Sequence, residues 1–376
     1  MSPETATVPG RLGLSEERLE LAGRVLAEAV AQGTVPAAAA AVLKNGQFAR
    51  LWAAGRRSPA QDAHPVQEDT IFLVASLTKP VVCAGAMLLV QDGSLALDQQ
   101  VAALLKGFGK RGKDRITVRH LFTHTSGLPD QLPNNAELRR RHAPIEEFVQ
   151  EVFSVEPLFP AATRISYQSM GILMLAEIVQ RTTGQKLRDF LRQHLFGPLG
   201  MDDTTLGLPD SGMERTALVG SPDEPQYGTS DSDWGWNSPY WRDFGAPWGG
   251  LHSTAADLGR FLAHMLGDLP GPLTPAARQA MVRDHTTPMP DIPPEEKLTH
   301  RWGLGWALGL NQFGDLTSPD TFGHIGATGT VFWADPATHL ACVLLTNQPG
   351  RNNYLFPRFS NAVASAVLRA APPPAS

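Results

Sequence analysis

Ile71-Phe72-Leu73-Val74-Ala75-Ser76-Leu77-Thr78-Lys79-Pro80 is the stretch on which the reading of this chain turns. An apolar, strand-like run over residues 71–74 gives way at Ser76 to a long apolar helical pattern reaching residue 91. Side chains three apart on a helix share a face, with Cβ atoms about 5–6 Å apart, so the Ser76 hydroxyl and the Lys79 amine can touch. A free serine is a weak nucleophile at neutral pH and needs a neighbour to take its proton. Lysine does this only if its pKa falls, and burial and the positive end of a helix both push it down. Pro80 is tolerated only in a first helical turn, which holds the helix start near Ser76. The same S-x-x-K spacing also arises by chance as an exposed helix start with a solvated lysine, so the reading needs partners elsewhere in the chain.

Working outward, Ser15 followed by Glu16-Glu17 opens a first helix with apolar positions Leu19, Leu21, Val25, Leu26 and Val30. Pro36 to Leu43, the turn Asn45-Gly46 and Phe48 to Ala54 read as a hairpin, because Asn-Gly supplies the positive φ values a two-residue turn requires. The region from Ser76 to about Leu269 is expected to be mostly helical, clearest over 76–91, 145–153, 170–182, 186–195 and 254–266. Leu206 to Trp248 is rich in Gly, Pro, Asp and Ser, with tryptophans at 234, 236, 241 and 248, and reads as a long functional loop. A proline-dense loop follows at Thr286 to Glu296. Strands return at Gly303–Leu310, Thr330–Asp335 and His339–Thr346, before a closing helix from Tyr354 to Arg369 and a frayed tail, Ala371 to Ser376. This order implies an α/β (α+β) fold: an antiparallel sheet built from both chain ends, flanked by helices, with a large, mostly helical insert.

The composition belongs to an ordinary globular protein: 376 residues, 42% hydrophobic and 18% charged. A net charge of −5 and a pI near 6.1 leave no basic stripe for a phosphate backbone, so nucleic acid is not expected as a partner. No cationic and apolar leader pattern opens Met1 to Gly10, and no run of 18 apolar residues appears, so neither membrane insertion nor export is expected and the reading is cytoplasmic. Cys83 and Cys342, the two cysteines, lie in apolar runs and read as core residues.

Two further elements bear on Ser76. Tyr167-Gln168-Ser169 stands just before the apolar helix pattern Met170 to Gln180, and His324-Ile325-Gly326-Ala327 just before the strand near Thr330. Together with Ser76-x-x-Lys79 they resemble the three signature elements of the serine β-lactamase and penicillin-binding-protein superfamily, closest to class C β-lactamases and family VIII carboxylesterases. The resemblance covers nearly the whole chain, since Arg119-His120-Leu121-Phe122-Thr123-His124-Thr125-Ser126-Gly127-Leu128 and Gly323 to Asn347 also look typical and stand in the same order. It implies a single β-lactamase/transpeptidase-like unit over 1–376, with an α/β sheet region in 1–75 and 297–376 and a helical region in 76–296 that carries the loop 206–248.

The resemblance also implies roles. Ser76 would attack an acyl carbon, Lys79 and Tyr167 would share the proton work with the base between them left open, and the backbone N–H groups of Ser76 and Ala327 would hold the oxyanion. Ser169, His324, Gly326, Trp234, Trp236 and Trp248 are the expected substrate-facing residues, the tryptophans equally readable as packing beneath a loop. No metal or cofactor is implied. His120 and His124, four apart, have metal-ligand spacing on a short helix capped by Thr117, but the glutamate of H-E-x-x-H is missing and structural hydrogen bonding is the better reading. G-x-S-x-G is absent, which excludes an α/β-hydrolase, and Ser126-Gly127 reads as a turn.

Two departures from the lactamase pattern carry information. Ser169 stands where the second element usually ends in asparagine, and His324 where the third usually begins with lysine. Histidine is mostly neutral at pH 7, so a grip on the carboxylate of a β-lactam is weakened. The expectation is therefore an acyl-enzyme at Ser76 acting on small esters, with a β-lactamase, D-amino-acid peptidase or acyltransferase as the alternatives on the same small-molecule ester or amide site. A non-catalytic scaffold of the same fold is the alternative of a different class.

Overall fold

Asn45 and Gly46, at φ 50° and 73°, turn strand β1 (Ala37–Lys44) into β2 (Gln47–Gly55), as the Asn-Gly pair requires. The computed structural model of the chain describes residues 6–58, 64–220, 228–229, 231–350 and 354–368. The frayed tail expected at Ala371 to Ser376, residues 1–5 of the start and 221–227 and 230 of the long loop lie outside the described residues.

Two sheets position everything else. A three-stranded sheet, in the order β3-β5-β4, joins β3 (Phe72–Leu73), β4 (Thr205–Leu206) and β5 (Leu251–Ser253). The seven-stranded sheet adds β6 (Arg301–Trp302), β7 (Ala307–Leu308), β8 (Phe322–Gly326), β9 (Thr330–Asp335) and β10 (Leu340–Thr346), in the order β2-β1-β10-β9-β8-β7-β6. Its pairings are antiparallel, and β1 and β10 meet in a register that includes Ala41 opposite Val343. The sheet is thus assembled from both ends of the chain.

The pleat explains the alanine run of β1. Ala37, Ala39, Ala41 and Leu43 face one core, shared with helices Thr78–Gln91 and Ala255–Leu266, whereas Ala38, Ala40 and Val42 face the other, shared with helices Glu16–Ala31 and Leu355–Ala364. Small side chains on both faces let helices approach the sheet closely on either side. Leu19, Leu26, Phe359 and Val363 seal the outer layer, each fully buried apolar side chain contributing about 1.5–3 kcal/mol. Ser15 caps the first helix by accepting from Arg18 N, and its own N–H donates to Ala366 O at 2.8 Å, tying the two outer helices together.

Several elements differ from the expectations. Gly303–Leu310 is not one strand: Gly305 at φ 84° and the Gly303 N–H bond to Trp306 O at 2.8 Å make it the turn and second strand of a β6–β7 hairpin. The helical pattern at 186–195 divides into an α-helix, Leu187–Leu191, and a π-helical stretch, Arg192–Phe196. Within the long loop, Ser238 caps a helix over Pro239–Phe244, and the proline-dense loop runs into helix Pro294–Thr299. The closing helix is Leu355–Ala364, shorter than expected. Both cysteines are buried, as read, and burial pushes their thiols up. Among the described residues no helix is long and apolar enough to cross a membrane.

Candidate active site

β3 and β5 pair antiparallel, Phe72 opposite Ser253 and Leu73 opposite His252, so the chain leaving β3 and the chain entering β5 emerge at the same end of the small sheet. One carries Val74-Ala75-Ser76, the other Trp248-Gly249-Gly250. Ser76 sits in a 3-10 turn, Ala75–Leu77, immediately before helix Thr78–Gln91. Ala75 is held at φ 46°, a left-handed conformation that costs a non-glycine residue on the order of 1–3 kcal/mol. Thr78 is the clamp: its hydroxyl donates to Ala75 O at 2.5 Å and accepts from Leu251 N at 3.0 Å. Ser76 is half-buried, with its neighbours 71–75 and 77–80 all buried.

Lys79 is 1% exposed, and its Nζ lies 3.0 Å from Ser76 Oγ and 2.9 Å from Trp248 O. Burial pulls its pKa down to about 8, against an opposing pull from the Asp130 carboxylate. As an ammonium it donates to both oxygens. As a neutral amine it still donates to Trp248 O and offers its lone pair to the Ser76 hydroxyl, the arrangement a base needs. Tyr167 joins them with its ring centroid 4.6 Å from Lys79 Nζ. Two separate stretches of chain thus meet at Lys79, which touches Ser76 and stands with its ammonium over the face of the Tyr167 ring.

The segment 123–129 templates the loop that carries Tyr167. His124 Nδ1 accepts from Gln168 N at 3.1 Å, His124 O from Ser166 N at 2.9 Å, and Thr125 O from Ala162 N at 2.8 Å. The Gln168 amide donates to His120 O and Leu121 O and accepts from the Ser126 hydroxyl. Gly127 is obligatory, since a Cβ there would lie 2.1 Å from Phe159 O at φ 79°. His120 and His124 do not share a helix face: His120 Nδ1 accepts from Thr117 N, and His124, at φ 59°, lies beyond the end of helix Val118–Phe122. Among the described residues no acidic, His and Cys cluster could hold a metal ion.

His324 lies on β8, fully buried, its ring 5.9 Å from that of Tyr167. Its Nδ1 is 2.7 Å from Ile325 O, so Nδ1 carries the proton and donates, and Nε2 is buried with no partner among the described residues. Burial first and Lys79 second push its pKa down to about 3, so the ring is neutral. Gly326 closes β8 against the nucleophile turn, where a Cβ would lie 2.5 Å from Val74 O and 2.2 Å from Thr330 Oγ1. Thr328 and Thr330 donate to Leu73 O and Val74 O at 2.7 and 2.9 Å, which sets the turn bearing Ala327 beside Ser76.

The tryptophans separate. Trp248 reaches the site through its carbonyl while its ring packs on Phe148 and Phe244. Trp236 is buried in a satellite core with Leu73, Val219 and Trp241, and Trp234 stacks with Arg139 and Arg140. For Trp234 and Trp236 packing is therefore the observed role. Two site residues escaped sequence reading: Trp302, whose ring lies 4.2 Å from His124 and 6.0 Å from Tyr167, and Asp130, whose Oδ1 accepts from Ser169 Oγ at 2.6 Å. Trp302 had no local signal, whereas Asp130 stands two residues beyond the motif that ends at Leu128.

A groove of about 540 Å³ lies elsewhere, between helices Ile145–Ser154, Met170–Thr183 and Pro239–Phe244, and neither Ser76, Lys79 nor Tyr167 lines it. The cluster of Ser76, Lys79 and Tyr167 lies where the two sheets meet, away from that groove.

The chain is 27% identical to a protein of Escherichia coli O157:H7 provisionally named a D-alanyl-D-alanine carboxypeptidase, over 92% of this chain and 86% of that one. It is 30% identical to esterase EstB of Burkholderia gladioli over 54% of each. Its fold superposes on the crystal structure of a family VIII carboxylesterase with a TM-score of 0.77 at 19% identity, covering 94% of this chain and 99% of the other. The Beta-lactamase family model matches residues 22–365. With that match over most of its length, the chain belongs to the Beta-lactamase family.

Proposed function

We propose that this serine hydrolase forms an acyl-enzyme at Ser76 and acts as a carboxylesterase on small esters. The observation that carries the reading is the 3.0 Å approach of a buried Lys79 amine, with its pKa lowered to about 8, to the Ser76 hydroxyl. In the first half-reaction the Ser76 proton passes to Lys79, either directly or with Tyr167 as relay, while Oγ bonds to the carbonyl carbon. The N–H groups of Ser76 and Ala327 receive the oxyanion. The bond to the alcohol then breaks, the same proton leaves with the alcohol, and water repeats the sequence in reverse to free the acid and Ser76. The neutral His324 and the short Ser169 support esters over β-lactams, because neither supplies the cation or amide that would hold a carboxylate-bearing amide.

The kinship to a protein provisionally named a D-alanyl-D-alanine carboxypeptidase favours one second reading, a D-amino-acid peptidase on the same residues. Purified protein offered nitrophenyl acetate and butyrate, nitrocefin and D-alanyl amides separates them. Turnover of esters is expected, and turnover of the amides alone overturns the esterase reading. Covalent labelling by a fluorophosphonate tests catalysis itself, and a folded but unlabelled protein marks a scaffold.

A further inference from the structure

Donor accounting around Ser76 gives the site an electrostatic sign. The hydrogen of Ser169 Oγ is committed to Asp130 Oδ1 at 2.6 Å, that of His324 Nδ1 to Ile325 O at 2.7 Å, and Lys79 is committed to Trp248 O and Ser76. Lys79 is the cation of this group at neutral pH, while Ser169, His324 and Asp130 contribute acceptors and one negative charge. Asp130 is partly exposed directly after the wholly buried run 121–129, and its carboxylate is turned to Ser169. Its field reaches the Lys79 ammonium. The departing group must stand beside its proton donor, Lys79 or Tyr167, and Ser169 lies two residues beyond Tyr167, 4% exposed.

We propose that Asp130, held by Ser169, makes the site select leaving groups that are cationic or rich in hydrogen-bond donors and reject those that carry a carboxylate. The substrates are then small esters or amides whose alcohol or amine portion has an ammonium or N–H group within a few atoms of the scissile bond. This deepens the serine-hydrolase reading and rests on it. A competing, purely structural role exists for Asp130: Met170 N donates to Pro129 O at 3.3 Å, so the carboxylate also stands at the start of helix Met170–Thr183, where negative charge is stabilising.

The test uses three butyrate esters of matched shape: butyrylcholine, 3,3-dimethylbutyl butyrate and 3-(butyryloxy)propanoate, which are cationic, neutral and anionic, followed by pH-stat with the full-length protein. Wild type is expected to show kcat/KM for the anionic ester at least tenfold below the neutral one, and for the cationic ester several-fold above it. Asp130→Asn is expected to shrink the cation-to-anion ratio by tenfold or more. The ratio is taken within one preparation, so any loss of active enzyme cancels. An anionic ester as good as its neutral isostere, or a ratio unchanged in Asp130→Asn whatever its Tm, overturns the proposal and leaves the hydrolase reading standing. A wild type that labels with no fluorophosphonate and hydrolyses none of the three overturns both.

Discussion

Ser76, Lys79 and Tyr167 differ in how their roles can be tested. Ser76→Ala is expected to abolish fluorophosphonate labelling and turnover, and wild-type rates in that variant would remove the nucleophile from this position. Lys79→Ala and Tyr167→Phe are each expected to lower kcat by about 10²-fold or more, the usual scale for a positioned acid or base. A loss of tenfold or less in both would place the base elsewhere. With neutral Lys79 as the proposed acceptor of the Ser76 proton, kcat/KM should rise with pH through about 8 and level off above it. Asp130 raises that pKa, whereas Cys83 faces Lys79 as a buried neutral thiol and His124 and His324 as neutral imidazoles, so Asp130→Asn should move the rise to lower pH. His324→Lys should raise nitrocefin turnover relative to ester turnover, and an unchanged ratio would count against the role given to that position. The pair Ser76 and Lys79 was legible because three-residue spacing on a helix is a local property. Asp130 and Trp302 were not, because only long-range packing brings residues 130, 169, 302 and 324 into one cleft.

Among the elements, the β8–β9 turn is the most tightly constrained part of the site. Gly326→Ala would drive a Cβ against Val74 O and Thr330 Oγ1, neither of which can give way without moving the nucleophile turn. The expected outcome is a loss of about 1–3 kcal/mol in stability together with a fall in kcat, read by thermal melting and ester kinetics. Activity untouched by this change would separate the turn from the oxyanion. Long elements were readable from pattern: β9 and β10 each match their expected spans to within a residue, and helix Met170–Thr183 follows its apolar stripe. β3, β4 and β5 were not recognised as a sheet, since two or three residues do not establish an alternation. That small sheet is what delivers the Trp248 carbonyl to Lys79, so the part of the site hidden from the sequence is the part held by its shortest strands.

At the scale of the molecule, buried ionisable groups set the response to acid. His124, His252 and His324 are all buried with folded pKa values depressed below 6.5, those of His252 and His324 to about 4 and about 3. The unfolded chain therefore binds protons that the folded one refuses as pH falls below 6.5, and stability drops by up to about 1.4 kcal/mol per pH unit for each histidine. Asp257 acts in the opposite sense: its pKa is raised to about 7, mainly by burial, so the folded state takes a proton first and offsets one histidine between pH 7 and 4. With His120 also lowered to about 4 by burial and His264 and His285 lowered too, a net uptake of about three protons or more on unfolding at pH 5 is expected, measurable from the slope of denaturant stability against pH. A flat profile from pH 6.5 to 4.5 would show that these rings are not held neutral.

The pairing of β1 with β10 has a temporal consequence. Ala38 stands opposite Thr346 in the ladder across more than three hundred intervening residues, and a strand of alanines has little intrinsic tendency to stay extended without that neighbour. During synthesis β1 must wait until more than three hundred further residues have been made before its ladder with β10 can close. The β8–β9 turn likewise follows Ser76 by about 250 residues, so no nascent chain short of that turn can bring the two together.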